Sequence, residues 1–527
     1  MSASTDTVAH GPIRWFPIAD LTAPPGITDR CTPEAVRAAV AHIEGVDVTS
    51  VTVNTSGRHD MEGGPVEGLP NFCDVRLRQI SPGGHLVEIT VWVPLAWNGR
   101  FMGTAGGGNR TRVHVDLPDF FRIMTLPRAL INGFAAASTD GGNRDERLFD
   151  WGLDVETGDL DWELIQNWVH RSTHDMTIIG KAVVEGIHGS APSYSYFQGT
   201  SGGGRQALME AQRYPDDYDG IWATDPAINW SRFIPAEIWP ALVMKEYGNP
   251  LAPSKLETFR QGVIAAGNRA QAIATSFVTT VDPPAWDPYE LVGTSSEAGE
   301  ITATDATVMQ KIWEGPRSRN GDIQWFGLRP GTESWGMTAP DAGLAVTTEA
   351  NGTLAPVPFP IAKAYIGGWL LRDSEWDWTT LTFEQFDELL EQSVREFSEL
   401  DTDDPDLTGL RDNGGKLLIT HGLDDEVIFP MGTVHYVQRV HGDMGGVEGT
   451  APFLRLFLSP GDGHSHAAAA GPGVTLAGGM AALMDWVENG HAPNTLAVER
   501  HNLSGGPITM TGSVDAYRQP DPQSAAR

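Results

Sequence analysis

Tyr194-Ser-Tyr-Phe-Gln-Gly199-Thr-Ser201-Gly-Gly203-Gly-Arg-Gln-Ala-Leu-Met-Glu210 is the stretch on which the reading of this chain turns. Its opening residues, Tyr194 to Gln198, are aromatic and strand-favouring, and the run from Gly204 to Tyr214 has the composition of a helix. Between them Gly199 to Gly203 spells G-x-S-x-G. That pattern alone is common by chance, but a strand, a tight glycine turn and a helix in succession make a nucleophile elbow. A serine on such a turn needs neighbours without Cβ, so that the backbone can bend and a substrate can approach. The helix start then supplies the Gly202 N–H and a positive dipole end for a developing oxyanion. An ordinary glycine-rich turn is the plain alternative.

A serine hydroxyl is a weak nucleophile, so it needs a base, and the base needs a group to orient it. Both types occur further along. Lys416-Leu-Leu-Ile-Thr-His421-Gly-Leu-Asp424-Asp425-Glu-Val-Ile places carboxylates just past a short apolar run. After Phe453-Leu-Arg-Leu-Phe-Leu458, the loop Ser-Pro-Gly461-Asp-Gly463-His464-Ser-His466 carries histidines among glycines. Serine, aspartate and histidine in that chain order, each beyond a different strand, is the α/β-hydrolase order. Asp424 and Asp425 could instead cap a turn, and His464 and His466 could be surface or metal-binding side chains. A fourth element, Gly103-Thr-Ala-Gly106-Gly107-Gly108-Asn109, offers a second oxyanion donor from Gly107 or Gly108. No βαβ unit with an acidic residue about 20 positions on follows it, as a dinucleotide fingerprint would require.

The expected fold is α/β: a mostly parallel sheet flanked by helices, with a large insertion. His85 to Pro94 places Val87, Ile89, Val91 and Val93 on one face at period two, as a half-buried strand would. Helical stretches at Ser172 to Gly189, Gly204 to Tyr214 and Ala477 to Gly490 alternate with the strands. Residues 229–400 differ: they hold nine of the 17 Trp and lack clear strand spacing. They are expected to form a lid domain inserted into a catalytic domain made of 1–228 and 401–527. Phe383 to Asp406 has ten acids and one base around an apolar stripe, which predicts an amphipathic helix running into a solvated acidic loop.

Composition narrows the partners. The 527 residues carry 36 Lys+Arg against 68 Asp+Glu, a formal charge of −32, so the long-range field repels nucleic acid and anionic membranes. The 40% hydrophobic content excludes a disordered chain, and no apolar run reaches membrane-spanning length. The N-terminal stretch lacks a basic region followed by an apolar one, so the expected location is cytoplasmic, or outside the cell if a leader was removed. Two cysteines, Cys31 and Cys73, are too few for a four-cysteine zinc site, and no H-E-x-x-H occurs. Neither a cofactor nor a metal is expected, and oligomeric state is not readable.

Over nearly its whole length the chain resembles the tannase/feruloyl esterase family of α/β-hydrolases. The resemblance rests on Ser195 to Ile221 around the elbow, Leu69-Pro-Asn-Phe-Cys73, Val93 to Phe101, Ile312-Trp-Glu-Gly-Pro316 and Gly414 to Gly422. It implies Ser201 as nucleophile, Asp425 rather than Asp424 as the acid, and His464 rather than His466 as the base. The implied activity is a serine carboxylic ester hydrolase acting on a small aromatic ester, of gallate or hydroxycinnamate type. Acyl transfer through the same acyl-enzyme and a non-catalytic binding homologue are the alternatives. Lid aromatics such as Trp230, Phe233, Trp239, Trp325, Trp335 and Trp369 would either stack on the acyl group or form lid core.

Three details depart from the family or bear on it. The family bridges a cysteine before the serine to one after the histidine, whereas Thr200 and Ser465 stand here, so a hydrogen bond between those hydroxyls is expected. No Asp or Glu lies between Glu257 and Asp282, so the family's lid calcium is not expected there. Cys31 and Cys73 match a family disulfide, and without an export signal the thiol form stands equally.

Overall fold

The computed structural model describes residues 21–113, 122–143, 150–154, 156–333, 335, 343–464, 470–501 and 507–519. Its central sheet has nine strands: β1 (Val46–Asn54), β2 (Phe72–Ile80), β3 (Leu86–Pro94), β4 (Arg100–Thr104), β5 (Ala135–Thr139), β6 (Tyr194–Thr200), β7 (Gly220–Thr224), β8 (Lys416–Gly422) and β9 (Leu454–Ser459). They lie in the order β1-β2-β3-β5-β4-β6-β7-β8-β9. Pairing is antiparallel from β1 through β5 and parallel from β5 to β9. The half that carries the elbow is therefore parallel, and short strands such as Ala135–Thr139, buried at every position, are what a sheet covered on both faces requires.

Two apolar layers do the covering. On one face Val36, Met176, Ile179, Val183, Ala207, Leu208, Val434 and Val437 pack from helices onto Val91, Phe197, Ile221 and Ile419. On the other, Leu130, Met480, Leu483 and Trp486 pack onto Trp92, Tyr196, Trp222 and Leu418. The expected half-buried strand proves buried on both faces: Val87, Ile89, Val91 and Val93 face the first layer while Trp92 is 1% exposed in the second. Periodicity marked one face correctly, but the second apolar layer packs on the other side of the sheet, so that face is covered too.

Residues 229–400 are mainly helical, with Trp230–Ala236, Trp239–Glu246, Pro253–Gln271, Ala303–Glu314 and Phe383–Phe397 as principal helices and two short two-stranded ribbons. They share an aromatic-rich core that also takes in Trp151, Leu164, Ile165, Trp168 and Val169 from before the elbow. The helix from Phe383 follows the apolar stripe, and Thr382 caps it reciprocally with Gln385. Its acids are not all solvated: buried Asp387 accepts from Arg319 N and Gln324 Nε2, and Asp401 accepts from Ser231 N and Oγ, both at 2.7 Å. Those bonds fasten the acidic run to neighbouring segments, which charge counting does not reveal. Among the described residues no helix is long and apolar enough to cross a membrane.

Candidate active site

The parallel strands end level with one another. Thr200 of β6 sits beside Thr224 of β7, Thr224 beside Thr420 of β8, and Gly422 beside Ser459 of β9. Neighbouring strands are about 4.8 Å apart, so the loops that follow them converge at one rim. Ser201, Asp225, Asp425 and His464 all stand in those loops.

Ser201 has φ 63° and ψ −124°, a conformation that a residue with a Cβ adopts only under constraint. Its N–H donates to Thr224 O at 3.0 Å, and its carbonyl accepts from Arg205 N and Ala227 N, both at 3.1 Å. Those three bonds hold a strain of about 1–3 kcal/mol in place. The glycines answer to real crowding: a Cβ on Gly199 would lie 2.1 Å from Gly203 O, and one on Gly202 would lie 2.1 Å from Gly108 O. Gly202 therefore abuts Gly108, whereas the Cβ position of Gly107 meets no atom within 4 Å and opens on free space. The loop is tied to the elbow helix by Gly106 N, which donates to Gln206 Oε1 at 2.9 Å.

Asp425 and His464 are joined. His464 Nδ1 lies 2.8 Å from Asp425 Oδ2, and Asp425 Oδ1 accepts from Val427 N at 2.9 Å and Ile428 N at 2.7 Å. The turn-capping alternative and the histidine-orienting one thus hold together, one oxygen for each. Asp424 goes elsewhere, to the buried Arg329 at 3.1 Å. Burial opposes charge on both partners of the pair. The neighbouring Asp425, Asp225 and Glu426 carboxylates nevertheless raise His464 to about 9, and the two histidines hold Asp425 well below the usual carboxylate range. Burial beside Asp425 pushes Glu426 up to about 8. No hydrogen bond between Ser201 and His464 occurs among the described residues. Apo hydrogen bonds of this kind are often long and tighten only with substrate.

Three further residues complete the rim and were not singled out from sequence. His421 is fully buried, with Nε2 3.2 Å from Asp425 Oδ2 and Nδ1 2.9 Å from Thr433 Oγ1, so the same carboxylate oxygen faces two imidazoles. Glu426 accepts the His464 N–H at 2.9 Å. Arg122, 1% exposed, donates to Asp462 at 2.6 Å, Asp225 at 2.8 Å and Gly463 O at 3.2 Å, while its own carbonyl accepts from Thr200 Oγ1 at 2.6 Å. His421 was visible as the residue four positions before Asp425; Arg122 has no local signal, because its partners lie 103 and 340 positions away.

The expected hydrogen bond between the Thr200 and Ser465 hydroxyls falls on Ser465, which with His466 lies outside the described residues. The Thr200 hydroxyl donates to the Arg122 carbonyl, and the Arg122 guanidinium grips the residue before His464. A non-covalent clamp thus ties the loop after β6 to the loop after β9. Cys31 and Cys73 are both buried thiols, and hydrogen bonding with Cys73 lowers the Cys31 thiol. Of the aromatics considered in residues 229–400, Trp230, Phe233, Trp239, Trp325 and Trp369 are buried as core.

One group of metal-ligand atoms lies together among the described residues, Asp225, His421 and Asp425, within 4.8 Å of one another. Each atom is already engaged: Asp225 by Gly422 N and Arg122, His421 and Asp425 by the bonds above. The cluster is a hydrogen-bond network.

A family model described as tannase and feruloyl esterase matches residues 73–519. A probable feruloyl esterase of Arthroderma benhamiae is 37% identical over 469 residues, covering 86% of this chain and 84% of its own. Feruloyl esterase B of Aspergillus niger is 25% identical over 473 residues, with 86% and 83% covered. Among solved structures, tannin acyl hydrolase from Aspergillus niger superposes with a TM-score of 0.78 at 23% identity, over 94% of this chain and 93% of that one. At that identity the likeness speaks for the fold, an α/β-hydrolase.

Proposed function

Because the chain belongs to the tannase and feruloyl esterase family and is a carboxylic ester hydrolase, we propose that Ser201, His464 and Asp425 form its catalytic triad. The observation that carries this reading is the 2.8 Å contact between His464 Nδ1 and Asp425 at the rim where Ser201 is held in its strained turn. With the Nδ1 proton directed at Asp425, Nε2 is left to accept the Ser201 proton. Ser201 Oγ bonds to the ester carbonyl carbon, and Gly202 N–H with Gly107 or Gly108 N–H receives the oxyanion, where each donor is worth about 10²–10³ in rate. His464 returns the proton to the departing alcohol. Water, deprotonated by the same imidazole, then releases the acid and regenerates Ser201.

The relatives' names point to phenolic acid esters, and a gallate or hydroxycinnamate acyl group is the substrate this reading assigns. Residues 229–400 act as the lid over that site, inserted between nucleophile and acid.

The test pairs Ser201→Ala with a panel of methyl gallate, methyl ferulate, hydroxybenzoate and short alkyl esters. Ser201→Ala is expected to lower kcat by about 10⁴–10⁶ with the fold intact, and a loss under about tenfold would reject the assignment. Labelling of the native enzyme by a fluorophosphonate excludes a non-catalytic homologue. Product analysis with an added alcohol separates hydrolysis from acyl transfer.

A further inference from the structure

An open groove of about 400 Å³ lies between the loop at 286–289 and the helix Ala303–Glu314, lined by Trp286, Asp287, Tyr289, Gln310, Trp313 and Glu314. It contains none of the residues of the ester-cleaving site. Its walls are three aromatic rings, and each is held from behind. Trp286 is seated on Gly262 in the middle of the helix Pro253–Gln271, where a Cβ would lie 2.5 Å from two atoms of the indole. A mid-helix glycine costs about 1 kcal/mol relative to alanine, and here its bare backbone makes room for that ring. Trp313 stands 6.1 Å from Trp286 at 60° and is backed edge-to-face by the fully buried Phe259. Tyr289, 40% exposed, is fixed through its hydroxyl, 2.7 Å from Thr307 Oγ1.

The polar rim is equally fixed. Gln310 Nε2 donates to Glu314 Oε1 at 2.9 Å, Lys311 Nζ to Glu314 Oε2 at 2.8 Å, and Tyr289 N to Asp287 Oδ1 at 2.9 Å. A rigid aromatic floor edged by amide and carboxylate groups suits a ligand with one apolar face and a rim of groups that both donate and accept. A pyranose has that shape: its axial C–H groups lie on indole faces while its hydroxyls reach carboxylate and amide oxygens. An anionic ligand would meet Asp287 and Glu314. A cation would meet a Glu314 whose two oxygens already accept, one of them from an ammonium.

We propose that this groove is a saccharide-binding site of the lid, separate from the hydrolytic centre. It would hold the protein on a glycan surface and raise the local concentration of any ester attached there. The proposal does not depend on which residues cleave the ester, and its test reads binding without turnover.

The full-length protein is titrated with xylobiose, cellobiose and glucose, none of which is an ester, by calorimetry and by indole fluorescence. Tetramethylammonium and gallate are run in parallel. Saturable binding of at least one saccharide is expected, and Trp313→Ala and Tyr289→Ala should each weaken it about tenfold. Hydrolysis of a small soluble ester should stay within about twofold of the parent, which also reports that the variants fold. Tyr289→Ala, an exposed change, keeps the test valid if Trp313→Ala does not fold. Absence of saturation up to about 50 mM for all three sugars would overturn the proposal. So would sugar binding indifferent to the folded variants, or binding confined to tetramethylammonium or gallate.

Discussion

Replacing Arg122 by methionine isolates the clamp between the serine and histidine loops. Arg122 is 1% exposed, and the Asp225 and Asp462 side chains it bridges are 0% exposed. Removing one partner of a buried ion pair costs about 3–5 kcal/mol, because the remaining charge loses its counter-ion away from water, and here two carboxylates lose the same one. For 527 residues the unfolding entropy is about 1.1 kcal/mol per kelvin, so the expected fall in Tm is about 3–5 °C if the chain unfolds as a unit. The loss should reach catalysis as well. The guanidinium holds Gly463 O, next to His464, while the main-chain carbonyl of residue 122, which methionine keeps, holds Thr200 Oγ1, next to Ser201; the variant thus frees the histidine side of the clamp, and a displacement of about 1 Å between reacting groups costs about 10²-fold in rate. The assay is calorimetry alongside kcat/KM on a methyl ester, for Arg122→Met and for Arg122→Met with Asp225→Asn and Asp462→Asn. The triple variant removes both carboxylate charges along with the cation and should recover most of the lost stability. A single variant within about 1 °C and twofold of the parent would refute the clamp.

Other expectations follow from the same rim. Asp425→Asn should lower kcat by about 10²–10⁴, well beyond Asp424→Asn, since only Asp425 faces His464; equal losses would contradict that, and kinetics on one ester decides it. His464 must lose its proton to act as base, and its carboxylate neighbours raise it to about 9, so kcat/KM should climb with pH through that region. Glu426→Gln, which removes one of those carboxylates, should move this limb to lower pH, and an unmoved limb would exclude Glu426 from the titration. The sign for stability is opposite: a raised imidazole stabilises the fold fully below about 6.5 and loses that contribution as pH rises through about 9, a slope that His464→Gln should remove from Tm-against-pH curves. With both thiols buried, an aromatic disulfide reagent should titrate none in the native protein and two after denaturation; none after denaturation would mean a bridge.

What sequence could reveal followed the range of each interaction. The elbow is local: strand, glycine turn and helix are contiguous, and their crowding is met by glycines within five residues. The aspartate and histidine loops were legible because each follows a recognisable strand, although only spatial pairing separates Asp425 from Asp424. The limits of the helices expected to alternate with the strands came within one or two residues; the elbow helix begins at Gly202, two residues before the expected start, with Ser201 alone between it and the strand that ends at Thr200. Arg122 was illegible, a lone cation whose partners are set by how the loops converge. The buried outer face of β3 was equally hidden, because alternation reports one face and says nothing about what covers the other.

Arg205 lies four positions after Ser201 on the elbow helix, fully buried, its guanidinium 4.0 Å from the Trp168 ring and donating to the carbonyls of Trp168 and Val169. Trp168 in turn meets Trp230 at 4.9 Å and Trp369 at 6.0 Å, both from the inserted segment. Residues 229–400 are thus packed, through Trp168, against the helix that follows Ser201, and Arg205 itself lies 5.7 Å from the Trp230 ring. Chimeras that graft another member's insertion onto this scaffold should carry residues 151–171 with it, or the graft will loosen the elbow it was meant to reshape.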